Sequence, residues 1–177
     1  LVRAARVGGV HEAERQVTLP KLGRSWFHRQ VVGVEGGVVC IVRDITERKR
    51  SEQRIVQMAH YDELTGLPNR SLVNERLEAF IAQAKRDGTT LAVAFIDLDG
   101  FKLVNDGLGH KAGDELLRIV SSRMQQSVGA DAMLGRFGGD EFVLVLPGVA
   151  GAAGLTPVLE ALRLAVMQPV MLGEQPV

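Results

Sequence analysis

Two pairs of acidic residues in the sequence could bind a divalent metal ion. Asp97 and Asp99 follow directly after an apolar run, and Asp140 and Glu141 lie between two further apolar runs. If the strands that these runs predict are neighbours, three or four carboxylates meet at one rim and would hold a hard cation such as Mg²⁺. The alternative is that both pairs lie in ordinary surface turns. Spacing alone favours this alternative, because acidic turns are common.

The dipeptide Gly138-Gly139 stands immediately before the second acidic pair. Glycine has no Cβ, so a phosphate group or another backbone segment can approach such a turn closely. A metal ion beside the turn would be a natural partner of a nucleotide phosphate. The glycines and the acids together therefore indicate a local nucleotide site.

Predicted strands position both acidic pairs. The continuous apolar run 91–96 predicts a strand that is buried on both faces and ends at Asp97. Apolar runs at 133–137 and 142–146 flank the two glycines and predict a β-hairpin with the acids at its tip.

Amphipathic helices are predicted around these strands. One runs between Asn69, which suits an N-cap, and Gly88, which suits a helix stop. Others are predicted at about 113–128 and 155–167. The order helix, strand, helix, hairpin, helix predicts an α/β (α+β) sandwich with helices packed on one sheet.

The first part of the chain has a different pattern. Residues 25–45 contain two groups of β-forming residues separated by Glu35-Gly36-Gly37, which predicts a hairpin. The polar stretch 46–58 predicts a linker helix, which is either solvated or part of a short coiled coil.

The composition limits the possible functions. A length of 177 residues indicates two partial units, and 46% hydrophobic residues suffice for a packed core. Because 21 basic residues balance 21 acidic ones, no global field recruits nucleic acid or an anionic membrane. The lone Cys40 is expected to be a small buried hydrophobe and fits a cytoplasmic location. No apolar stretch reaches the roughly 18–20 residues that span a bilayer, and an anchor outside this segment stays open.

Residues 136–142 resemble the signature of the GGDEF family of diguanylate cyclases, bacterial enzymes that condense two GTP molecules into cyclic di-GMP. Other blocks of the family pattern occur in the expected order at 62–70, 95–102, 105–106 and 109–114. The resemblance covers about residues 59–177. It implies a palm-like fold akin to nucleotidyl cyclases and polymerases, with a mostly antiparallel central sheet flanked by helices.

The resemblance also implies the catalytic residues. Asp97 and Asp140 match carboxylate ligands of Mg²⁺ (or Mn²⁺), and the backbone carbonyl of Leu98 matches a third ligand. Either Asp140 or Glu141 matches a group that helps to remove the proton of the attacking 3′-hydroxyl. Lys102 matches a cation that offsets charge on the reacting phosphate, although a solvated loop lysine is the alternative.

The residues that match substrate contacts form a second set. Asn105 and Asp114 match the pair that reads guanine, in which an amide faces O6 or N3 and a carboxylate accepts from N1–H and the 2-amino group. The remaining matches to substrate-binding positions are His110, Arg136, Gly138 and Gly139. Asp62, Asn69 and Arg70 are expected to brace the turn at the N-terminal end of the domain.

The family mechanism needs a homodimer, because each domain binds one GTP and presents a 3′-hydroxyl to the other. Residues 1–45 resemble the closing strands of a PAS sensory domain, and 43–48 match its usual exit. The resulting division is 1–45 for the PAS-like strands, 46–58 for the linker helix and 59–177 for the GGDEF domain. In this division the linker helix controls how two domains face each other.

The sequence departs from the family pattern in two places. The inhibitory Arg-x-x-Asp motif is replaced at its two charged positions by Gly129 and Ala132, so product inhibition through that site is not expected. The resemblance also implies a further strand after residue 177, followed by phosphate-contacting Lys and Arg. A domain truncated before this strand is expected to fold poorly and to turn over little.

Three functions remain open at this point. The first is a diguanylate cyclase, which the acids at 97, 140 and 141 favour. The second is a GTP-binding regulatory module for a downstream EAL phosphodiesterase domain. The third is a dimerisation scaffold with a vestigial site, which the presence of Asn105 and Asp114 disfavours.

Overall fold

The computed structural model describes residues 9–21, 23–149 and 151–177. The chain divides into two units, Leu1–Gln57 and Met58–Val177. Within the described residues, no helix combines the length and the apolar character needed to cross a bilayer.

The first unit contains a three-stranded antiparallel sheet. Its strands in spatial order are β1 (Val10–Leu19), β2 (Gly23–Val34) and β3 (Gly37–Asp44). The predicted hairpin is confirmed as β2 and β3, and Gly36 adopts a φ of 81° in the turn between them. Strand β1 was not predicted because polar and charged residues interrupt its apolar positions.

Cys40 is exposed, so the prediction that it is a buried hydrophobe is wrong. The residue lies in β3, which pairs only with β2 among the described strands and is exposed along its whole length.

Helix α1 (Thr46–His60) follows this sheet, and none of its residues is buried. Its start is fixed by side-chain hydrogen bonds. The backbone N–H of Thr46 donates to Asp44 Oδ1 at 2.8 Å, and the backbone N–H of Trp26 donates to Thr46 Oγ1 at 2.8 Å. A carboxylate that accepts from the first helical N–H groups is a standard N-cap.

The second unit is a mixed helix and sheet structure, which confirms the predicted fold class. Its sheet is antiparallel, in the spatial order β4 (Leu91–Asp97), β6 (Glu141–Pro147), β5 (Met133–Gly138). Its other elements are α2 (Arg70–Asp87), α3 (Phe101–Leu108), α4 (His110–Ser127), α5 (Gly151–Val166), β7 (Met171–Leu172) and β8 (Gln175–Pro176).

Successive side chains of the central strand β6 point to opposite faces of the sheet, and the side chains on both faces are buried. Phe142 and Leu144 belong to the larger core cluster, together with Leu117 and Met124 of α4. Val143, one position along, packs in a second cluster with α2. The sheet therefore lies between α2 on one face and α3, α4 and α5 on the other.

The ends of α2 agree with the sequence prediction. Asn69 is the N-cap, and its Oδ1 accepts a hydrogen bond from the N–H of Leu72 at 3.1 Å. Gly88 follows the helix in the left-handed conformation, with a φ of 64°. Since α2 packs on the central sheet, these caps fix the helix next to the predicted site.

Strand β4 differs from its prediction as a strand buried on both faces. Phe95 is 77% exposed and Val93 is 41% exposed. The reason is that β4 pairs only with β6 among the described strands, which leaves it at the edge of the sheet. Helix α3 was not predicted either, because it has only eight residues and contains Gly107.

Candidate active site

The strand pairing brings the two acidic pairs to one end of the sheet. Strand β4 ends at Asp97, which lies directly opposite Glu141, the first residue of β6. Directly opposed residues in an antiparallel pair have Cβ atoms about 4.5–5.5 Å apart. Asp140 precedes Glu141 in the hairpin turn. Asp97, Asp140 and Glu141 are therefore brought to the same rim.

Asp99 lies beyond the end of β4. The strand has already ended, and the chain turns at Asp99 and at Gly100, whose φ of 81° favours glycine. In the parts of the chain that the structure describes, no three Asp, Glu, His or Cys side chains are placed to hold one metal ion. Three acidic residues thus reach the rim as predicted, but the described side chains are not placed as a group of three around one ion, so the predicted metal site stays a prediction.

The remaining oxygen donors fit a magnesium ion that is shared with a substrate. Asp97 and Asp140 offer carboxylates, and Leu98 offers a backbone carbonyl that also accepts a hydrogen bond from the N–H of Phe101 at 3.1 Å. In nucleotide sites Mg²⁺ is usually bound by one or two carboxylates, by waters and by substrate phosphates. These residues suit that partial ligand set, and they do not form an all-protein cage.

The glycine turn between β5 and β6 is open. Gly138 and Gly139 have φ angles of 146° and 54°, and an added Cβ at either would have no neighbour within 4 Å. A side chain there would be strained by the backbone conformation and would cover the turn. The open backbone allows close approach of a phosphate group.

The side chain of Arg136 is hydrogen-bonded to this turn. Its Nε and Nη2 both donate hydrogen bonds to the carbonyl oxygen of Gly139, at 3.0 and 2.7 Å. Its Nη1 donates to Asp62 Oδ1 at 2.8 Å, and the side chain is only 9% exposed. All three guanidinium nitrogens therefore contact protein groups, which favours a positioning role over direct contact with a substrate.

Asp62 anchors the other end of this interaction. The backbone N–H and the hydroxyl of Thr65 donate to Asp62 Oδ1 at 2.9 and 2.6 Å. Burial raises the pKa of the Asp62 carboxyl, but the hydrogen bonds from Thr65 and Arg136 outweigh this effect and hold the pKa below its ordinary value. The turn before α2 is thus tied to the hairpin tip.

Asp62 was expected in the N-terminal turn, but its bond to Arg136 was not predicted. The two residues are 74 positions apart, and neither lies in a periodic apolar pattern that would predict the contact. The contact could have been predicted only from the chemistry of the two side chains. A carboxylate and a guanidinium in two separate blocks of the family pattern are a candidate ion pair.

The predicted base-reading residues lie on two consecutive helices, α3 and α4, which meet at Gly109. Asn105 lies in α3 and is half-buried, and Asp114 lies exposed in the first turns of α4. The Asn105 side chain packs against the backbone of Gly113, the residue just before Asp114. The amide of Asn105 therefore lies against the residue that directly precedes Asp114.

Lys102 and His110 are both exposed. Lys102 precedes Asn105 by three positions in α3, so the two share one helix face. His110 is the first residue of α4. The short helix α3 therefore carries a cation and an amide on the same face.

An open groove of about 830 Å³ lies beside β4. Its lining is mostly apolar and includes Phe95, Phe101, Leu116 and Val166. Of the residues considered for the site, Asp97, Leu98 and Asp99 line it, whereas the glycine turn and the predicted base-reading residues do not. The groove is therefore not the predicted phosphate or base site.

Three bacterial proteins named for cyclic di-GMP synthesis or breakdown are similar in sequence to this chain. The chain is 50% identical over 101 residues to the bifunctional diguanylate cyclase/cyclic di-GMP phosphodiesterase MucR of Pseudomonas aeruginosa. The aligned segment covers 57% of this chain and 15% of MucR. The chain is 44% identical over 110 residues to the diguanylate cyclase DgcP of the same organism, covering 62% and 16%. It is 42% identical over 110 residues to the cyclic di-GMP phosphodiesterase PdeB of Shewanella oneidensis, covering 62% and 12%. The matches thus span less than one fifth of these relatives.

Solved structures share the fold of the second unit. The GGDEF domain of TpbB (YfiN) from Pseudomonas aeruginosa superposes with a TM-score of 0.64 at 35% identity, covering 67% of this chain and 69% of that one. A sensory box/GGDEF family protein from Caulobacter crescentus gives a TM-score of 0.64 at 40% identity, covering 67% and 77%. Residues 59–177 match the family described as diguanylate cyclase, GGDEF domain. The chain therefore belongs to the GGDEF domain family of diguanylate cyclases.

Proposed function

We propose that this chain forms the catalytic part of a diguanylate cyclase that condenses two GTP molecules into cyclic di-GMP. The observation that carries the proposal is the pairing of Asp97 with Glu141, beside the glycine turn that Arg136 holds. The pairing brings acids from two strands to one rim, next to a backbone that a phosphate can approach. The relative DgcP is named a diguanylate cyclase, which supports this choice.

In this mechanism Asp97, Asp140 and the backbone carbonyl of Leu98 would hold Mg²⁺ or Mn²⁺ next to the bound GTP. The ion, when bound, stabilises charge on the phosphates and lowers the pKa of the attacking 3′-hydroxyl. Asp140 or Glu141 accepts the proton of that hydroxyl. The 3′-oxygen then bonds to the α-phosphorus of the partner's GTP, and pyrophosphate leaves with the electrons of the broken P–O bond.

The chain's other site residues bind and orient GTP. Gly138 and Gly139 leave room for the phosphates, and the ammonium of Lys102 offsets their charge. Asn105 and Asp114 read the guanine edge, with His110 near the start of α4. Arg136 acts by holding the glycine turn in place.

Two copies of the chain are needed, because the product contains two phosphodiester bonds and each copy binds one GTP. We assign residues 1–45 to a PAS-like sensory segment, 46–58 to a linker helix and 59–177 to the catalytic domain. The linker would set the distance between two bound nucleotides, which changes the rate without new chemistry. A cytoplasmic location follows from the need for GTP.

A second candidate is a regulatory GTP-binding domain beside an EAL phosphodiesterase domain. The specific support is that PdeB, a cyclic di-GMP phosphodiesterase, is 42% identical to this chain over 110 residues. The presence of Asp97, Asp140 and Glu141 favours the cyclase, because a domain that only binds GTP does not need all three.

The deciding experiment incubates the full-length natural protein with GTP and Mg²⁺ and measures cyclic di-GMP. The control is Asp140→Ala, which removes one metal carboxylate and one candidate base. We expect metal-dependent product from the natural protein and none from the variant. GTP binding without any product would favour the regulatory domain, and no GTP binding would refute both candidates.

A further inference from the structure

Gly113 is a buried glycine inside a helix, where its residue type needs an explanation. It lies in α4 (His110–Ser127), in the fourth position, and does not cap either end. Its φ is not in the left-handed region. Glycine weakens a helix relative to alanine, because it loses more backbone freedom on folding. The local backbone therefore gives no reason for glycine at this position.

The reason lies in the side chains that pack on it. A Cβ built on Gly113 would lie 2.9 Å from Cγ of Asn105, and closer still to Oδ1 of the same side chain. It would also lie 3.3 Å from Cζ of Phe101. The first contact is shorter than non-bonded carbon atoms accept. The carboxamide of Asn105 thus fills the space that a side chain at position 113 would occupy.

We propose that Gly113 is a positioning residue for guanine recognition. By lacking a side chain, it lets the Asn105 carboxamide lie against the first turn of α4, one residue before Asp114. This contact sets the spacing between the amide and the carboxylate that read the base. The inference rests on the proposed function, in which these two side chains bind guanine.

The spacing matters because both side chains must meet one rigid base at the same time. A displacement of about 1 Å in such a pair is enough to lose a hydrogen bond and leave a polar group unpaired. Alanine at position 113 forces Asn105 away from the helix junction while Asp114 stays in place. Recognition of guanine is then weakened, whereas binding of the triphosphate is not.

The test combines Gly113→Ala, Asn105→Ala and the double variant in the full-length protein. Affinity is measured with Mg²⁺ for α,β-methylene analogues of GTP and ATP, which cannot release pyrophosphate. The matched control is Gly107→Ala, because Gly107 also lies in a helix and an added Cβ there has no neighbour within 4 Å.

We expect Gly113→Ala to weaken binding of the GTP analogue by about tenfold or more, and to change binding of the ATP analogue by less than about twofold. The double variant should bind the GTP analogue no more weakly than Asn105→Ala alone, because the displaced side chain is already absent. Gly107→Ala should bind both analogues as the natural protein does.

Two results would overturn the positioning role. One is unchanged GTP affinity in Gly113→Ala, and the other is a double variant whose loss is the sum of the two single losses. A separate result, equal affinity of the natural protein for both analogues, would refute guanine recognition and with it the proposed function. The failure of each idea is thus recognisable.

Discussion

Arg136 lies beside the proposed active site, and all three nitrogens of its guanidinium are engaged by protein groups. Its planar guanidinium reaches Gly139 with two N–H groups and Asp62 with a third. A lysine has a single ammonium on a flexible stem and cannot reproduce this fork. The side chain is buried, so any N–H or carbonyl that loses its partner is not readily compensated by water.

We expect Arg136→Lys to destabilise the second unit by about 1–3 kcal/mol. Formation of cyclic di-GMP should fall by about 10–100-fold, because the glycine turn loses its fixed position. Denaturant unfolding and initial rates measure the two effects. The control is Arg163→Lys, since Arg163 pairs with Glu160 on the exposed surface of α5, where such pairs contribute little. Equal effects of the two substitutions would contradict the role of Arg136.

Asp62 makes the same interaction sensitive to acid. Its pKa is lowered in the folded chain from an ordinary value of 3.8, so its stabilisation is fully present above that pH. The stabilisation is lost as the pH falls through the lower folded pKa. We expect Asp62→Asn to melt below the natural protein at pH 7, and this difference to shrink as the pH falls below 3.8. If the difference in melting temperature between the two proteins stays constant as the pH falls below 3.8, the Asp62 carboxylate is not the source of the stabilisation.

At the scale of helices and strands, the sequence predicted the features that depend on residues adjacent along the chain. The limits of α2 followed from Asn69 and Gly88, because capping depends on residues that are adjacent in sequence. The glycine hairpin followed from two apolar runs around a turn. Strand β1 and helix α3 were missed, since tertiary pairing stabilises the first and the second is short.

The sequence predicted only the part of the candidate site that lies at the ends of the predicted strands. The sequence predicted that the acids share one rim if their strands are neighbours, but it did not predict that Asp97 pairs with Glu141. The position of Asp99 did not follow, because the end of a strand is set by where its pairing stops and not by the residue type. The contact between Arg136 and Asp62 joins distant parts of the chain, so no periodic pattern reveals it.

The packing of α2 on β5 gives a prediction at this scale. Gly135 in β5 faces α2 so closely that an added Cβ would lie 2.9 Å from the carbonyl oxygen of Pro68, and would overlap the side chain of Val73. We expect Gly135→Ala to destabilise the second unit by about 1–3 kcal/mol through overpacking. Denaturant unfolding measures the change.

The matched control for Gly135→Ala is Gly129→Ala. Gly129 is exposed, and an added Cβ there has no neighbour within 4 Å. Its substitution should change stability by less than about 0.5 kcal/mol, as expected of most exposed sites. Similar losses for both variants would mean that the contact with α2 is not the cause.

At the scale of the whole molecule, the proposed reaction belongs to a pair of chains. One copy supplies one set of site residues and one GTP, while the product needs two new bonds. A pair with one defective member can therefore form at most one bond and releases no cyclic product. Such dependence on pairs is measurable without knowing how the two copies dock.

Mixing natural protein with Asp140→Ala tests this dependence. At a fixed total concentration, an equal mixture should form cyclic di-GMP at about one quarter of the rate of the natural protein alone, because random pairing leaves about one quarter of the pairs intact. Independent chains would instead retain about one half of the rate. The reference is natural protein diluted to the same final amount without the variant. All rates are measured at a concentration at which nearly every chain is paired, so that more protein no longer raises the rate per chain. Under that condition, a variant that leaves the rate of the reference unchanged means that each chain acts alone and that the two-copy mechanism is wrong.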